Sequence, residues 1–154
     1  MVMKKVLQTN DYASYLREIR TLMELSHENV VRYYDQPSNY PGIDPKEWLM
    51  FMEYCEHGSL RDVLADKNLV YSMATVAKWC SELFNALDYI KSMKKVHHDV
   101  KPDNLFVHGH DYTLKLGDFG IVRDLKTSSN LRGGTYGYMA PEVLNGIEVK
   151  GEVS

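Results

Sequence analysis

Cysteine is nearly absent: Cys55 and Cys80 are the only two in 154 residues, they lie far apart, and no C-x-x-C pair occurs. That spacing argues against a disulfide framework and against a thiolate metal site, leaving a reducing interior as the expected setting. Long apolar runs are missing too. The longest, residues 48–52, falls far short of the roughly 18 residues of a membrane span. The first eight residues carry lysines but no apolar h-region, so neither a membrane span nor a secretory signal is expected. Charge of one sign is also lacking, with 18 Lys and Arg against 21 Asp and Glu and a net charge of -3. No cationic footprint for a phosphate backbone results, which makes nucleic acid a poor candidate for the main partner. A nucleotide held locally by one lysine and metal ions stays open. What is present, 44% apolar and 25% charged residues, suffices for one soluble domain with a real core.

Residues 1–7 alternate apolar and basic side chains like a strand, and Thr9, Asn10 and Asp11 offer caps for a helical stretch reaching about Leu25, with Leu16, Ile19, Leu22 and Met23 on one face. Residues 30–34 and 48–54 are rich in β-branched and aromatic side chains, while Pro37, Pro41, Gly42 and Pro45 between them mark a loop. After Gly58 the period changes. Residues 59–65 suit a short helix, and Val76, Trp79, Cys80, Leu83, Leu87 and Ile90 recur along a long amphipathic one. Residues 105–107 and 114–116 read as a hairpin around the turn 108–112, ahead of a polar, Gly-rich stretch over 117–137. The expectation is an α+β chain of two lobes, a small β lobe with one helix over 1–55 and a mainly helical lobe over 56–154, separated by a cleft.

The residues His97-His98-Asp99-Val100-Lys101-Pro102-Asp103-Asn104, then Asp118-Phe119-Gly120, then Ala140-Pro141-Glu142, resemble in order and spacing the catalytic loop, metal-binding triplet and APE segment of protein kinases. Phosphoryl transfer needs an anion to orient the attacking hydroxyl, oxygen ligands for magnesium and cations on the developing phosphate charge. The resemblance implies ATP and Mg²⁺ as cofactors, with Asp99 as catalytic base, Lys101 on the transferred phosphate, and Asn104 and Asp118 as metal ligands. Lys101, two residues after Asp99, and Gly134-Thr135 ahead of the APE segment resemble the serine/threonine type, in which Thr135 would brace Asp99 and Lys101.

Upstream, Val2-Met3-Lys4 resembles the V-A-I-K strand and Arg17-Glu18-Ile19 the helix whose glutamate pairs with that lysine. Lys5 is the rival, but strand alternation puts Lys4 on the face of Val2, the residue that would pack over adenine. Residues 51–55 resemble the strand leading into the hinge. Met52 would be the gatekeeper, the backbones of Glu53 and Cys55 would bond adenine, and Phe106 would form the floor under the base. An apolar slot with a few backbone polar groups is what a purine requires.

Blander readings compete. Lys4 and Glu18 taken alone are a solvated strand lysine and a surface helix glutamate. His97, His98, His108 and His110 could be read as a metal site, yet two fall in the catalytic-loop match and two in a hairpin turn. His97 is better read as a residue that packs and hydrogen-bonds near Asp118. Thr127, Ser128 and Ser129 are loop residues unless phosphorylated.

The chain also departs from the family pattern. His98 replaces the usual arginine, and imidazole cannot grip a phosphorylated loop with a guanidinium fork. No G-x-G-x-x-G occurs, so a partial kinase domain is expected. The implied activity is transfer of the ATP γ-phosphate to protein Ser/Thr hydroxyls in a cytoplasmic signalling cascade. The closest likeness is to MAP kinase kinase kinase and Ste-like kinases, and the alternative is a catalytically inactive module that binds nucleotide or protein.

Overall fold

The computed structural model describes residues 1–6, 19–20, 22–35, 48–119, 123–124 and 134–144. Strand β1 (Val2–Val6) pairs antiparallel with β3 (Trp48–Met52), and β2 (Tyr33–Tyr34) lies on the other side of β3. Leu49 to Met52 are all buried, as befits the middle strand of a sheet covered on both faces. The strand expected over 30–34 is shorter than its composition suggests. Val30 instead makes a parallel bridge to Leu116, and the Val31 N–H donates to the Leu116 carbonyl at 2.9 Å. Residues 29–31 therefore attach the small sheet to the second half of the chain. Residues 19–20 and 22–24 are helical, with Leu22 and Leu25 in the core.

The short helix α1 (Leu60–Ala65) would be marginal alone. It is set by a capping box in which Ser59 accepts from the Asp62 N–H while Asp62 accepts from the Ser59 N–H. Its entry is tied down by bonds from Val107 N–H to the Gly58 carbonyl and from His57 N–H to the Val107 carbonyl. Helix α2 (Met73–Ser92) starts at Ser72, whose hydroxyl accepts from the Thr75 N–H. Trp79, Ala86 and Ile90 face the core. Cys80, expected on that face, is exposed, because one residue's rotation of about 100° carries it off the stripe.

Two short strands, β4 (Lys95–Val96) and β7 (Arg123–Asp124), pair antiparallel, an arrangement their composition does not announce. The hairpin of β5 (Leu105–His108) and β6 (Thr113–Leu116) packs on α2. Trp79 Nε1 donates to the Tyr112 carbonyl at 2.8 Å, and Glu82 accepts from the Leu114 N–H at 2.9 Å. Val107, Leu114, Leu116 and Ile90 are sealed from solvent. Truncating Leu114, Leu116 or Ile90 to alanine costs on the order of 2–5 kcal/mol. A last short helix, α3, spans Pro141–Leu144.

Candidate active site

Backbone bonds first bring the site together. The loop after β4 turns at His98 (φ 64°) and ends in the 3-10 turn Pro102–Asn104, which leads directly into β5. At the far end of the hairpin, Gly117 N–H donates to the Asn104 carbonyl at 2.9 Å. Asn104 and Asp118 are thereby neighbours across the hairpin's open end. A side chain at 117 would strike the Phe106 ring at 2.8 Å and Val31 at 3.0 Å, so only glycine allows this closure without displacing the ring.

His97 is buried to 2% exposure and lies edge-on to Phe119, ring centres 5.0 Å apart. Its Nε2 is 2.9 Å from the Gly117 carbonyl, and its Nδ1 receives the Asp99 N–H at 3.3 Å. A carbonyl only accepts and an N–H only donates, so the ring is the neutral Nε2–H tautomer. Burial lowers its pKa and favours that form. His97 thus joins the catalytic-loop backbone to the residue preceding Asp118 and moves no proton.

Asp99 is held from both sides. Thr135 donates its N–H and its hydroxyl to Oδ1 at 2.9 and 2.8 Å. Asn104 Nδ2 and Lys101 Nζ each reach Oδ2 at 2.9 Å. Lys101 also donates to the Thr135 hydroxyl at 2.6 Å. Burial of Asp99 would raise its pKa, but these hydrogen bonds and the Lys101 charge outweigh it and bring the carboxyl down to about 2. The group is an anion throughout the physiological range. Asn104, 3% exposed, spends its amide N–H groups on the Asp99 carbonyl and carboxylate. Its Oδ1 is the atom left to act as a ligand.

The residues expected around adenine gather in a second, smaller apolar cluster: Met52 and Cys55 are buried, and Phe106 packs against them. Val31, fully buried in the same cluster, was not singled out from the sequence. Its signal was the Val30-Val31 pair, whose two members serve the two different clusters. Glu53 N–H bonds the Arg32 carbonyl at 2.8 Å, and the Glu53 carboxylate is taken by Lys115 Nζ at 3.2 Å. Burial, reinforced by the negative charge of Glu53, pushes the Cys55 thiol up to about 11, which makes it a packing residue.

Register places Lys4 opposite Met50 and Val2 opposite Met52, with Lys5 opposite Leu49. Glu18 and Gly120 lie outside the described residues, as do Thr127, Ser128 and Ser129. Among the described residues no cluster of three or more His, Cys, Asp or Glu could hold a metal ion.

A small antiparallel sheet followed by a helix-rich unit carrying the 105–116 hairpin is consistent with a partial two-lobed protein kinase fold. The chain belongs to the protein kinase domain family, whose pattern matches residues 1–153. It is 36% identical over 135 residues to a putative mitogen-activated protein kinase kinase kinase 7-like protein of Drosophila melanogaster, covering 86% of this chain and 33% of the relative. It is 30% identical over 151 residues to human mitogen-activated protein kinase kinase kinase 7, covering 95% and 24%. To a probable serine/threonine-protein kinase nek3 of Dictyostelium discoideum it is 31% identical, covering 94% and 13%. The chain therefore spans about a quarter to a third of the mitogen-activated protein kinase kinase kinase 7 relatives it matches. Among the described residues, no helix is long and apolar enough to cross a membrane.

Proposed function

We propose that this chain carries the catalytic centre of a serine/threonine protein kinase that moves the γ-phosphate of ATP to protein hydroxyls in a cytoplasmic signalling cascade. The observation that carries the reading is the Asp99 carboxylate, gripped by Thr135, Asn104 and Lys101. Four donors on two oxygens fill the roughly four lone-pair positions of a carboxylate. A substrate hydroxyl can reach Asp99 only when one donor leaves. Lys101 is the one able to do so: its stem is flexible, its charge belongs on the transferring phosphate, and Thr135 and Asn104 keep the carboxylate aimed after it goes.

In this mechanism the serine or threonine oxygen attacks the γ-phosphorus, the bond from that phosphorus to the bridging oxygen breaks, and ADP departs. Asp99 accepts the hydroxyl's hydrogen bond and then its proton. With a pKa near 2 it is a weak proton sink, so its main task is orientation, with the proton moving late. Asn104 Oδ1 and the Asp118 carboxylate are hard oxygen donors, which fit Mg²⁺, an ion that usually takes one or two carboxylates plus substrate phosphates. When bound, Mg²⁺ neutralises charge on the phosphates. Val31, Met52, Cys55 and Phe106 supply an apolar slot for the purine, the Glu53 and Cys55 backbones its polar edge, and Val2 its roof. By the family resemblance Lys4 takes the α and β phosphates; Glu18, its expected partner, lies outside the described residues.

Two measurements test this. Mg-ATP should raise the thermal midpoint of the chain and leave Lys4→Met and Asp118→Asn unmoved. Phosphotransfer to a serine-containing protein should fall by about 10²–10⁴-fold in Asp99→Asn. A chain stabilised by Mg-ATP yet equally inert with and without Asp99 would instead be a nucleotide-binding module.

A further inference from the structure

Arg61, on the first turn of α1, makes a contact for which the proposed chemistry has no use. Its Nε and Nη2 form a fork on Asp103, at 2.5 Å to Oδ1 and 2.8 Å to Oδ2, and Nη2 also donates to the Tyr138 hydroxyl at 3.1 Å. The side chains of Arg61 and Asp103 are 52% and 41% exposed, and an exposed pair of this kind contributes less than about 1 kcal/mol to stability. What a bidentate fork supplies is direction.

The three partners come from three pieces of chain. Helix α1 is anchored by its capping box and by the Gly58 and His57 bonds to Val107. Asp103 sits in the turn whose last residue, Asn104, is buried and bonded to Asp99. Tyr138 alone belongs to residues 134–140, the segment that also delivers Thr135 to Asp99. Thr135 and Tyr138 are joined rigidly, because the Tyr138 N–H donates to the Thr135 carbonyl at 2.8 Å and closes the 3-10 turn Tyr136–Tyr138. Between them Tyr136 is 78% exposed, and Gly137 has nothing within 4 Å of where a side chain would begin. The turn is therefore suspended from its two ends.

We propose that Arg61 is a positioning residue: with Asp103 as its fixed support, it holds Tyr138 and so keeps Thr135 in the place from which it aims the Asp99 carboxylate. Arg61 touches no reacting group, and Asp103 spends its charge on Arg61. The kinetic half of this inference rests on the kinase reading, whereas the structural half does not.

The experiment compares Arg61→Met, Arg61→Lys, Tyr138→Phe and the Arg61→Met/Tyr138→Phe double variant by amide hydrogen exchange and by phosphotransfer to a serine-containing peptide. Exchange over residues 134–140 should rise by about tenfold in Arg61→Met and comparably in Tyr138→Phe. The double variant should go no further than the faster single, since both cut one tether. Arg61→Lys, which lacks the fork, should behave like Arg61→Met. Residues 60–65 should exchange as in the wild type. Phosphotransfer should show kcat lowered about three- to tenfold with the KM for ATP unchanged. Unchanged exchange over 134–140 in Arg61→Met overturns the proposal. So does equal loosening of 60–65, which would make Arg61 a brace for its own helix, and so does an additive double variant. If the wild type transfers no phosphate while exchange behaves as expected, the kinase reading has failed and the anchor has not.

Discussion

The Thr135 hydroxyl lies 2.8 Å from Asp99 Oδ1 while accepting Lys101 Nζ at 2.6 Å, so a single threonine links the Asp99 carboxylate to the Lys101 ammonium in the same loop. Removing that hydroxyl leaves the Thr135 N–H on Oδ1 and deletes one of the two bonds to that oxygen, while Asn104 and Lys101 still hold Oδ2. Thr135→Ala should lower kcat about tenfold, the equivalent of one net hydrogen bond. Thr135→Ser keeps the hydroxyl and should stay within about threefold. Steady-state kinetics on a serine peptide decide it: an alanine variant within twofold of wild type would show that the Thr135 hydroxyl is not needed to aim Asp99.

Stability should respond to pH in two separate windows. The buried, neutral His97 has a lowered pKa in the fold, so its contribution is complete above the unfolded value of about 6.5 and is lost as pH falls below it. The lowered Asp99 carboxyl likewise contributes above about 3.9 and loses that contribution only as pH falls toward its folded value of about 2. Thermal midpoints between pH 7.5 and 5.5 should therefore decline in the wild type and decline less steeply in His97→Gln, which removes the titrating ring. Parallel slopes would assign the decline to other histidines.

The family and the partial kinase fold were legible in advance because their motifs are concentrated in one short loop and its hairpin. Asp99, Lys101, Asn104 and Asp118 sit at a spacing that the hairpin alone closes. The helical spacing of Val76, Trp79, Leu83, Leu87 and Ile90 marks the long helix, whereas the Ser59 and Ser72 caps that set both helix starts become evident only in the fold. What escaped were features with no period or motif. The two-residue strands β4 and β7 exist because each pairs with the other, not because Lys95-Val96 or Arg123-Asp124 favours extension. Val31 joins the apolar cluster of Met52 and Cys55 through a backbone bond to Leu116, a long-range event. Arg61, Asp103 and Tyr138 are joined across sequence separations of 42 and 77 residues, and three ordinary surface side chains carry no mark of that.

Gly134 should resist substitution for two compounding reasons. Its φ of +116° is a region that side-chain-bearing residues rarely adopt, and a Cβ there would sit 2.8 Å from the His98 carbonyl, a backbone atom that cannot step aside. Gly134→Ala should cost on the order of 1–3 kcal/mol, relieved most easily by the segment carrying Thr135 lifting off Asp99. The expected signature is a fall in phosphotransfer of tenfold or more with a thermal midpoint close to wild type, because the α2–hairpin core is untouched. A midpoint that collapses together with activity would place the strain in the core.

The two cysteines should part company in a labelling experiment. Cys55 is buried in the apolar cluster with Met52 and Val31, and its thiol is pushed up to about 11, while Cys80 is exposed on α2. Thiolate is the reactive form, so iodoacetamide at pH 8 should modify Cys80 within minutes and leave Cys55 intact in the folded chain. Cys55 should react only after denaturant opens the core. Because Cys55 lines the proposed slot, Mg-ATP should slow its residual labelling further while leaving Cys80 unaffected. Rapid native labelling of Cys55 would mean that the slot is open to water, and a Cys55 rate indifferent to saturating Mg-ATP would move the nucleotide elsewhere.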